Sequence, residues 1–498
     1  MKKVLTFLLM FLFSLSMLAQ EKPKTKFTYG GVYTAWAQSQ HAFRFNSDTY
    51  DDDYVVQMFR LKLGFSPNEY LKAITRFDIA QGWWGVDNAR RSVQRTATTG
   101  SGSALFDFKD TNYLFHVDQA YILFKIPNSP LTGRIGRMWY GLGNKMMVDN
   151  NYDGVQFDLN NVIGKKVTLS WARVSEGLDG LTDLDSAAAD RYGNSDGRDA
   201  DLFMLDFNNK AGGLAYNVYG MYYKDRSVND MNAYVPDHLQ FFKTRFSPQV
   251  TQLTAVGFAG TYKTDKLKVK GEFDYLTGKD DIQNTTHGAK QMWDINNGDL
   301  SGYNLYLNGT LTVTPAVSLG AVIGRGSGDD DLTGGKGNVN KLRTSGFFYI
   351  TEVWEDSIMP DEEGITPQGL GAPNVRGYRE LENTTALQLN ATLKPVDKLN
   401  LFASFTLLKA TEPIHAWSTV ADSLGNIVDA AIDPAVSADD IGSEIDFKIS
   451  YNMYKPLNFT LRGGYFIPGD AAEYLINGKL AANADPAWEL KGTVALKF

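Results

Sequence analysis

Read two residues at a time, the chain falls into short stretches with one apolar and one polar face. In VVQMFRLKLGF (55–65), Val55, Phe59, Leu61, Leu63 and Phe65 share one side, and Arg60 and Lys62 the other. In KLKVKGEFDYLT (266–277), Leu267, Val269, Phe273 and Tyr275 oppose Lys268, Lys270, Glu272 and Asp274. SEIDFKISYNM (443–453) sets Ile445, Phe447, Ile449 and Tyr451 against Glu444, Asp446, Lys448 and Ser450. A two-residue period is that of a β-strand, and about ten residues is the length a tilted strand needs to cross a bilayer. About eighteen such stretches recur, starting near 27, 54, 70, 113, 131, 154, 166, 200, 214, 251, 267, 301, 316, 384, 398, 443, 457 and 487.

The connections sort into two classes. Short ones fall at 66–69, 127–130, 160–164, 208–213, 264–266, 314–316, 395–398 and 454–456, and long ones at 38–53, 83–112, 140–152, 176–199, 225–250, 278–299, 326–382, 409–439 and 468–485. Short and long alternate along the chain. Backbone groups inside a bilayer must all be paired, so a spanning all-β chain closes into a barrel. An antiparallel barrel presents its connections alternately to two sides, short turns on the periplasmic side and long loops outside. The expectation is an all-β, transmembrane, antiparallel up-and-down β-barrel of about 18 strands. The loop at 140–154 is open to two readings, an ordinary external loop or a constriction folded into the lumen.

The ends fit this expectation. Lys2 and Lys3 precede a mostly apolar run from Val4 to Ala19, the pattern of a cleaved signal peptide over residues 1–19, followed by one barrel domain over 20–498. The last stretch, WELKGTVALKF (488–498), places Trp488, Leu490, Val494, Leu496 and Phe498 on one face. An apolar alternation ending in Phe resembles the signal that outer-membrane barrels present to their assembly machinery, and the resemblance assigns that role to those five residues.

Composition narrows the function. The chain has no cysteine, which removes disulfides, thiolate metal sites and cysteine nucleophiles. Its formal net charge is −8, and −10 once Lys2 and Lys3 are gone, which argues against nucleic acid as a partner. If the apolar faces meet lipid, strand parity turns Arg60, Lys62, Arg76, Asp78, Asp118, Glu272, Asp274, Glu444, Asp446, Lys448 and Arg462 toward the lumen, with Lys72 and His116 beside them. Arg134 joins this pore-lining set. Arg137 has the opposite parity, so one of the two arginines leaves the lumen face. Both signs of charge are present, and opposed rings of charge set ion selectivity in a pore.

Two segments carry a family resemblance. RIGRMWYGLGNKMMVDNNYDGVQFDL (134–159) and SEIDFKISYNMYKPLNFTLRGGYFIPGD (443–470) resemble the alginate-export family of bacterial outer-membrane porins. The resemblance implies an eighteen-stranded channel passing solutes, in some members an anionic polysaccharide. The reading is a porin for passive diffusion of small hydrophilic or charged solutes. Its alternatives are a polysaccharide exporter or a partner-dependent conduit, and more remotely an outer-membrane hydrolase. The hydrolase has little to build on: of five histidines, His41, His238, His287 and His415 fall in expected loops, and no G-x-S-x-G elbow accompanies them. No cofactor and no metal site is implied; DRYGNSDGRDAD (190–201) lacks the spacing of a calcium loop. The expected partners are outer-membrane lipid and lipopolysaccharide, the assembly machinery and the transported solutes. Monomer and trimer both stay open, and the basic run at 89–95 suits external lipid phosphates.

Overall fold

The computed structural model describes residues 25–46, 51–84, 116–162, 165–175, 200–225, 250–280, 298–330, 338, 340, 342, 344, 348–358, 381–421, 423, 427–481 and 483–498. The expected signal segment 1–19, the basic run 89–95, His238, His287 and nearly all of the acidic stretch 190–201 lie outside them.

Eighteen strands follow one another: β1 (Lys26–His41), β2 (Asp52–Ser66), β3 (Leu71–Trp83), β4 (His116–Lys125), β5 (Leu131–Leu142), β6 (Val148–Val162), β7 (Lys165–Ser175), β8 (Ala200–Ala211) and β9 (Leu214–Asp225), then β10 (Val250–Lys263), β11 (Leu267–Asp280), β12 (Gly298–Thr314), β13 (Val317–Gly326), β14 (Thr384–Val396), β15 (Leu399–Ala421), β16 (Ile427–Tyr454), β17 (Leu457–Pro468) and β18 (Ala487–Lys497). Each pairs antiparallel with its neighbours in sequence, as Lys62 opposite Arg76 shows for β2 and β3. Strand β18 returns to β1, from Val32 opposite Lys497 to His41 opposite Trp488. The sheet is a closed up-and-down barrel. At the seam Gly31 and Phe498 exchange both backbone hydrogen bonds, at 3.0 and 3.1 Å. A Cβ on Gly31 would stand 2.6 Å from the Phe498 ring, so this close approach needs glycine. The ring itself stacks on Phe59 at 5.7 Å.

The two faces of the wall divide as the two-residue period requires. Leu389, Val256, Ile122 and Ile445 point outward, between 53% and 62% exposed, so the apolar surface lies outside the barrel rather than within it. Among the described residues no helix is long and apolar enough to cross a membrane.

Strand starts agree with the sequence expectation to within three residues except at β6 and β16. In both, the ladder runs on past the alternating stretch: Leu142 pairs with Val148, and β15 pairs with β16 as far as Ala421 opposite Ile427. The extra residues, such as IVDAAIDPAVSADDI in β16, carry no dyad pattern because neither face needs to be apolar there. Thus two connections expected to be long, 140–152 and 409–439, are hairpins with loops of only 143–147 and 422–426. The expected loop 468–485 contains a helix, α1 (Asp470–Asn477), closed by Gly478 at φ 74°. The helix packs Tyr474, Leu475 and Ile476 against Phe43, Phe45, Ile414 and Ile441. The long-loop half of the barrel is therefore filled by apolar clusters, while the short-turn half is lined by polar side chains.

Candidate functional site

Inside the barrel, charge is organised by wall. On β2–β4 the guanidinium of Arg60 grips Asp78 through two bonds of 2.7 and 2.8 Å, and Arg76 bonds Asp118. Arg60 also lies 3.9 Å from Asp118, and Asn151 Nδ2 donates to that carboxylate at 2.7 Å. Arg134 faces inward and pairs with Asp158, which Lys166 also meets at 3.0 Å. Arg137 is the arginine that leaves: it shares the outer face with Ile135 and pairs with Asp153 at 3.2 Å. These pairs join neighbouring strands, so the wall holds its own counter-charges.

The acids on β11 and β16 behave differently. Each strand carries a Glu-x-Asp pair on its inner face, Glu272 with Asp274 and Glu444 with Asp446, all at most 3% exposed. No described Lys, Arg or His lies within 4.0 Å of any of the four. Instead, each pair seats a chain segment folded into the lumen.

At β11 the occupant is the 143–147 tip of the β5–β6 hairpin. The backbone N–H of Asn144 donates to Glu272, and Asn144 Nδ2 donates to Gly271 O at 3.2 Å. Tyr219 Oη lies 2.8 Å from Glu272 and also bonds Asp274, whose other oxygen accepts from Asn304 at 2.8 Å. Met146 and Met147 complete the contact, both at most 2% exposed. Of the two readings of 140–154, the constriction is the one the structure adopts.

At β16 the occupant is the strap 348–358, which ends in a single π-helical turn, Trp354–Ile358. Glu444 accepts the backbone N–H groups of Val353 and Trp354 at 2.6 and 2.9 Å. Trp354 is fully buried and stacks on Phe466 at 5.1 Å. Charges tie the rest. Glu352 meets Arg462 at 2.7 Å, Asp356 lies 3.5 Å from Lys491, and Ser357 donates to Glu489 at 2.7 Å. Gln38 and Gln40 reach the same Glu489 from β1. Burial pushes the Glu352 carboxyl up to about 7; Arg462 and Lys491 pull it down, but Asp356 and Asp446 oppose them.

Both seats share one further detail. The second acid of each pair stands opposite a lumen-facing glycine, Asp274 opposite Gly257 and Asp446 opposite Gly464. A Cβ at Gly464 would come within 2.7 Å of Val353 Cγ2, so the strap occupies the space a side chain would take.

All twelve residues expected to line a pore stand on the inner face, but they do not share one environment. Glu272, Asp274, Glu444 and Asp446 lie beneath folded-in segments, and the Arg462 side chain is only 23% exposed beneath Glu352. Lys62 and Lys448 stay exposed. Sequence reading did not include Tyr219, Asn304, Glu352, Asp356, Glu489 or Lys491. The last two alternate correctly on β18, where Glu489 stands opposite Gly464 rather than a cation and Lys491 stands opposite Arg462. Of the histidines, His41 pairs with Asp51 at 2.8 Å and stacks on Trp488, and His415 lies on β15 rather than in a loop.

A family model described as alginate export matches residues 208–475. It includes the resemblance at 443–470 and not the one at 134–159. No curated protein matches the chain in sequence. Among solved structures, a BenF-like porin from Pseudomonas fluorescens Pf-5 is 8% identical, with a TM-score of 0.52 over 96% of this chain and 100% of that one. Pseudomonas aeruginosa OccK9 (OpdG) is 10% identical, with a TM-score of 0.51 over 95% and 99%. Pseudomonas aeruginosa OccK2 (OpdF), solved in complex with glucuronate, is 9% identical, with a TM-score of 0.50 over 96% and 99%. At such identities these likenesses speak for the fold.

Proposed function

Since this chain belongs to the alginate-export family, we propose that it is an outer-membrane channel through which small anionic solutes diffuse passively. The apolar outer face and closed ladder suit a bilayer-spanning wall, and the alternation of short turns and long loops suits a barrel with its long loops outside. Residues 1–19 direct export, residues 20–498 form the single barrel domain, and Trp488, Leu490, Val494, Leu496 and Phe498 present the assembly signal.

One observation carries the preference for anions. Counted along the strands, the lumen charges are mixed. The acids, however, are engaged: Glu272, Asp274, Glu444, Asp446 and Glu489 hold the inserted segments, and Asp78, Asp118 and Asp158 pair with arginines. Lysines remain toward water in the short-turn half. Lys62, Lys268 and Lys448 are exposed there, and Lys72 and Lys270 are half-buried. A ring of cations with its counter-charges withdrawn selects anions.

Planar-bilayer reversal potentials under a KCl gradient test this directly, and glucuronate uptake into liposomes is the companion assay. Anion preference that falls when Lys62→Glu and Lys448→Glu are combined is the expected result. Cation preference in the unaltered protein, or a folded barrel with no conductance, overturns it. The family match also favours a second reading, a conduit for an anionic polysaccharide. The strap and the hairpin tip both lie across a polymer's path, so passage of oligo-uronates at rates near those of the monomer is the result that would establish it.

A further inference from the structure

The outer surface of β5–β10 carries a second feature, built in three levels by strand register. Lowest is an apolar row: Phe157 opposite Leu169, Leu169 opposite Leu205, Leu205 opposite Gly220 and Gly220 opposite Val256. Gly220 interrupts this row with an absent side chain, and a groove of roughly 530 Å³ opens around it. Two residues toward the long-loop end stands a row of Val155, Trp171, Phe203, Tyr222 and Thr254, with Phe203 and Tyr222 in ring contact at 6.5 Å. Two residues further, the row turns ionic: Arg137 opposite Asp153, Asp153 opposite Arg173, Arg173 opposite Asp201 and Asp201 opposite Lys224.

The ionic row has three cations and two carboxylates. Arg137 pairs with Asp153 at 3.2 Å and Arg173 with Asp201 at 3.1 Å. Lys224 has no carboxylate within 4.0 Å among the described residues, so the row keeps one positive charge. Trp171 joins the levels: its ring lines the groove, its Nε1 donates to Asp201 at 3.0 Å, and Arg173 lies 5.7 Å over its face.

We propose that this face binds one phosphorylated lipid of the outer leaflet, an acyl chain in the Gly220 groove and a phosphate at Arg173 and Lys224. The inference rests on the outer-membrane reading, which puts the long-loop end outside. Apolar, aromatic and cationic levels in that order match the acyl, interfacial and headgroup zones of such a lipid. A second copy of the chain would set this excess charge against an identical row, which disfavours a symmetric barrel contact.

The full-length protein, purified in detergent and incubated with diphosphorylated lipid A, is examined by native mass spectrometry. Gly220→Leu fills the groove; a Cβ there meets only Ala255 O, at 3.6 Å, so the variant is expected to fold. Gly309→Leu is the control, on the outer face of β12 with nothing within 4 Å of its Cβ. The expected result is at least a fivefold loss of bound lipid for Gly220→Leu and for Lys224→Ala, none for Gly309→Leu, and weak retention of dephosphorylated lipid A. Equal retention by all variants, or equal retention of both lipids, overturns the proposal. Conductance of the same preparations separates the two readings: a conducting barrel without lipid selectivity removes the lipid site and leaves the channel.

Discussion

The hairpin tip and the strap enter the same lumen and rest on the same kind of seat, yet they are held by different forces. The tip brings one backbone N–H to Glu272 and meets the far wall through neutral groups, Asn144, Met146 and Met147, while the ion pair of Lys145 with Asp149 stays within its own hairpin. The strap brings two N–H groups to Glu444, buries an indole, and adds an ionic lattice of Glu352, Asp356, Arg462 and Lys491. The tip also remains part of a ladder, with Leu142 paired to Val148 at its base. The strap contributes no strand to the wall. A segment continuous with a sheet needs little to stay folded in, whereas one without such support needs an anchor and charges.

The strongest way to break the comparison is Trp354→Ala. Removing a buried indole costs about 3–5 kcal/mol, and here the cost falls on docking of the strap. A larger single-channel conductance step is expected, with less change for Met147→Ala, since the ladder still holds the tip. Next come the seats. Glu444→Ala leaves two buried N–H groups without an acceptor and Glu272→Ala one, at about 1–3 kcal/mol for each buried donor left unsatisfied. Channel noise and protease accessibility should therefore increase more for Glu444→Ala.

Acidity sharpens the contrast further. The Glu352 carboxyl is raised to about 7 in the docked strap, above the usual carboxylate value near 4.5. The docked state thus binds more protons between those values, and its stability falls as pH rises from about 4.5 to 7. Conductance should rise between pH 5 and 8, and Glu352→Gln should flatten that part of the profile. The smallest effect is that of salt. Raising KCl from 0.1 to 1 M should loosen the strap by under about 1 kcal/mol, because its pairs are mostly buried, and leave the tip unchanged.

The barrel was legible because bilayer and lumen impose a strict two-residue period, and because a closed sheet sorts its loops. Arg60 and Asp78 can be matched from the hairpin between them. What joins Glu272 to Asn144 is different: 128 residues separate them, and no local pattern records the contact. The sequence does hold one indirect mark. Once register is known, Asp274 and Asp446 face glycines instead of cations, which marks acids on the inner face that the wall itself does not neutralise. The hairpin extensions of β6 and β16 were hidden for the opposite reason, since strands beyond the bilayer need no apolar face.

The apolar clusters in the long-loop half carry a calorimetric consequence. Residues on the outer wall pass between lipid or detergent and the denatured chain, so they contribute little hydration change when the barrel unfolds in micelles. Trp354, Phe43, Phe45, Met147 and Leu202 are shielded by protein instead. Exposing them to water adds a positive heat-capacity increment of the kind seen in water-soluble proteins. This barrel should therefore unfold with a curved stability profile, its long-loop half melting like a globular core and its short-turn half like a membrane wall.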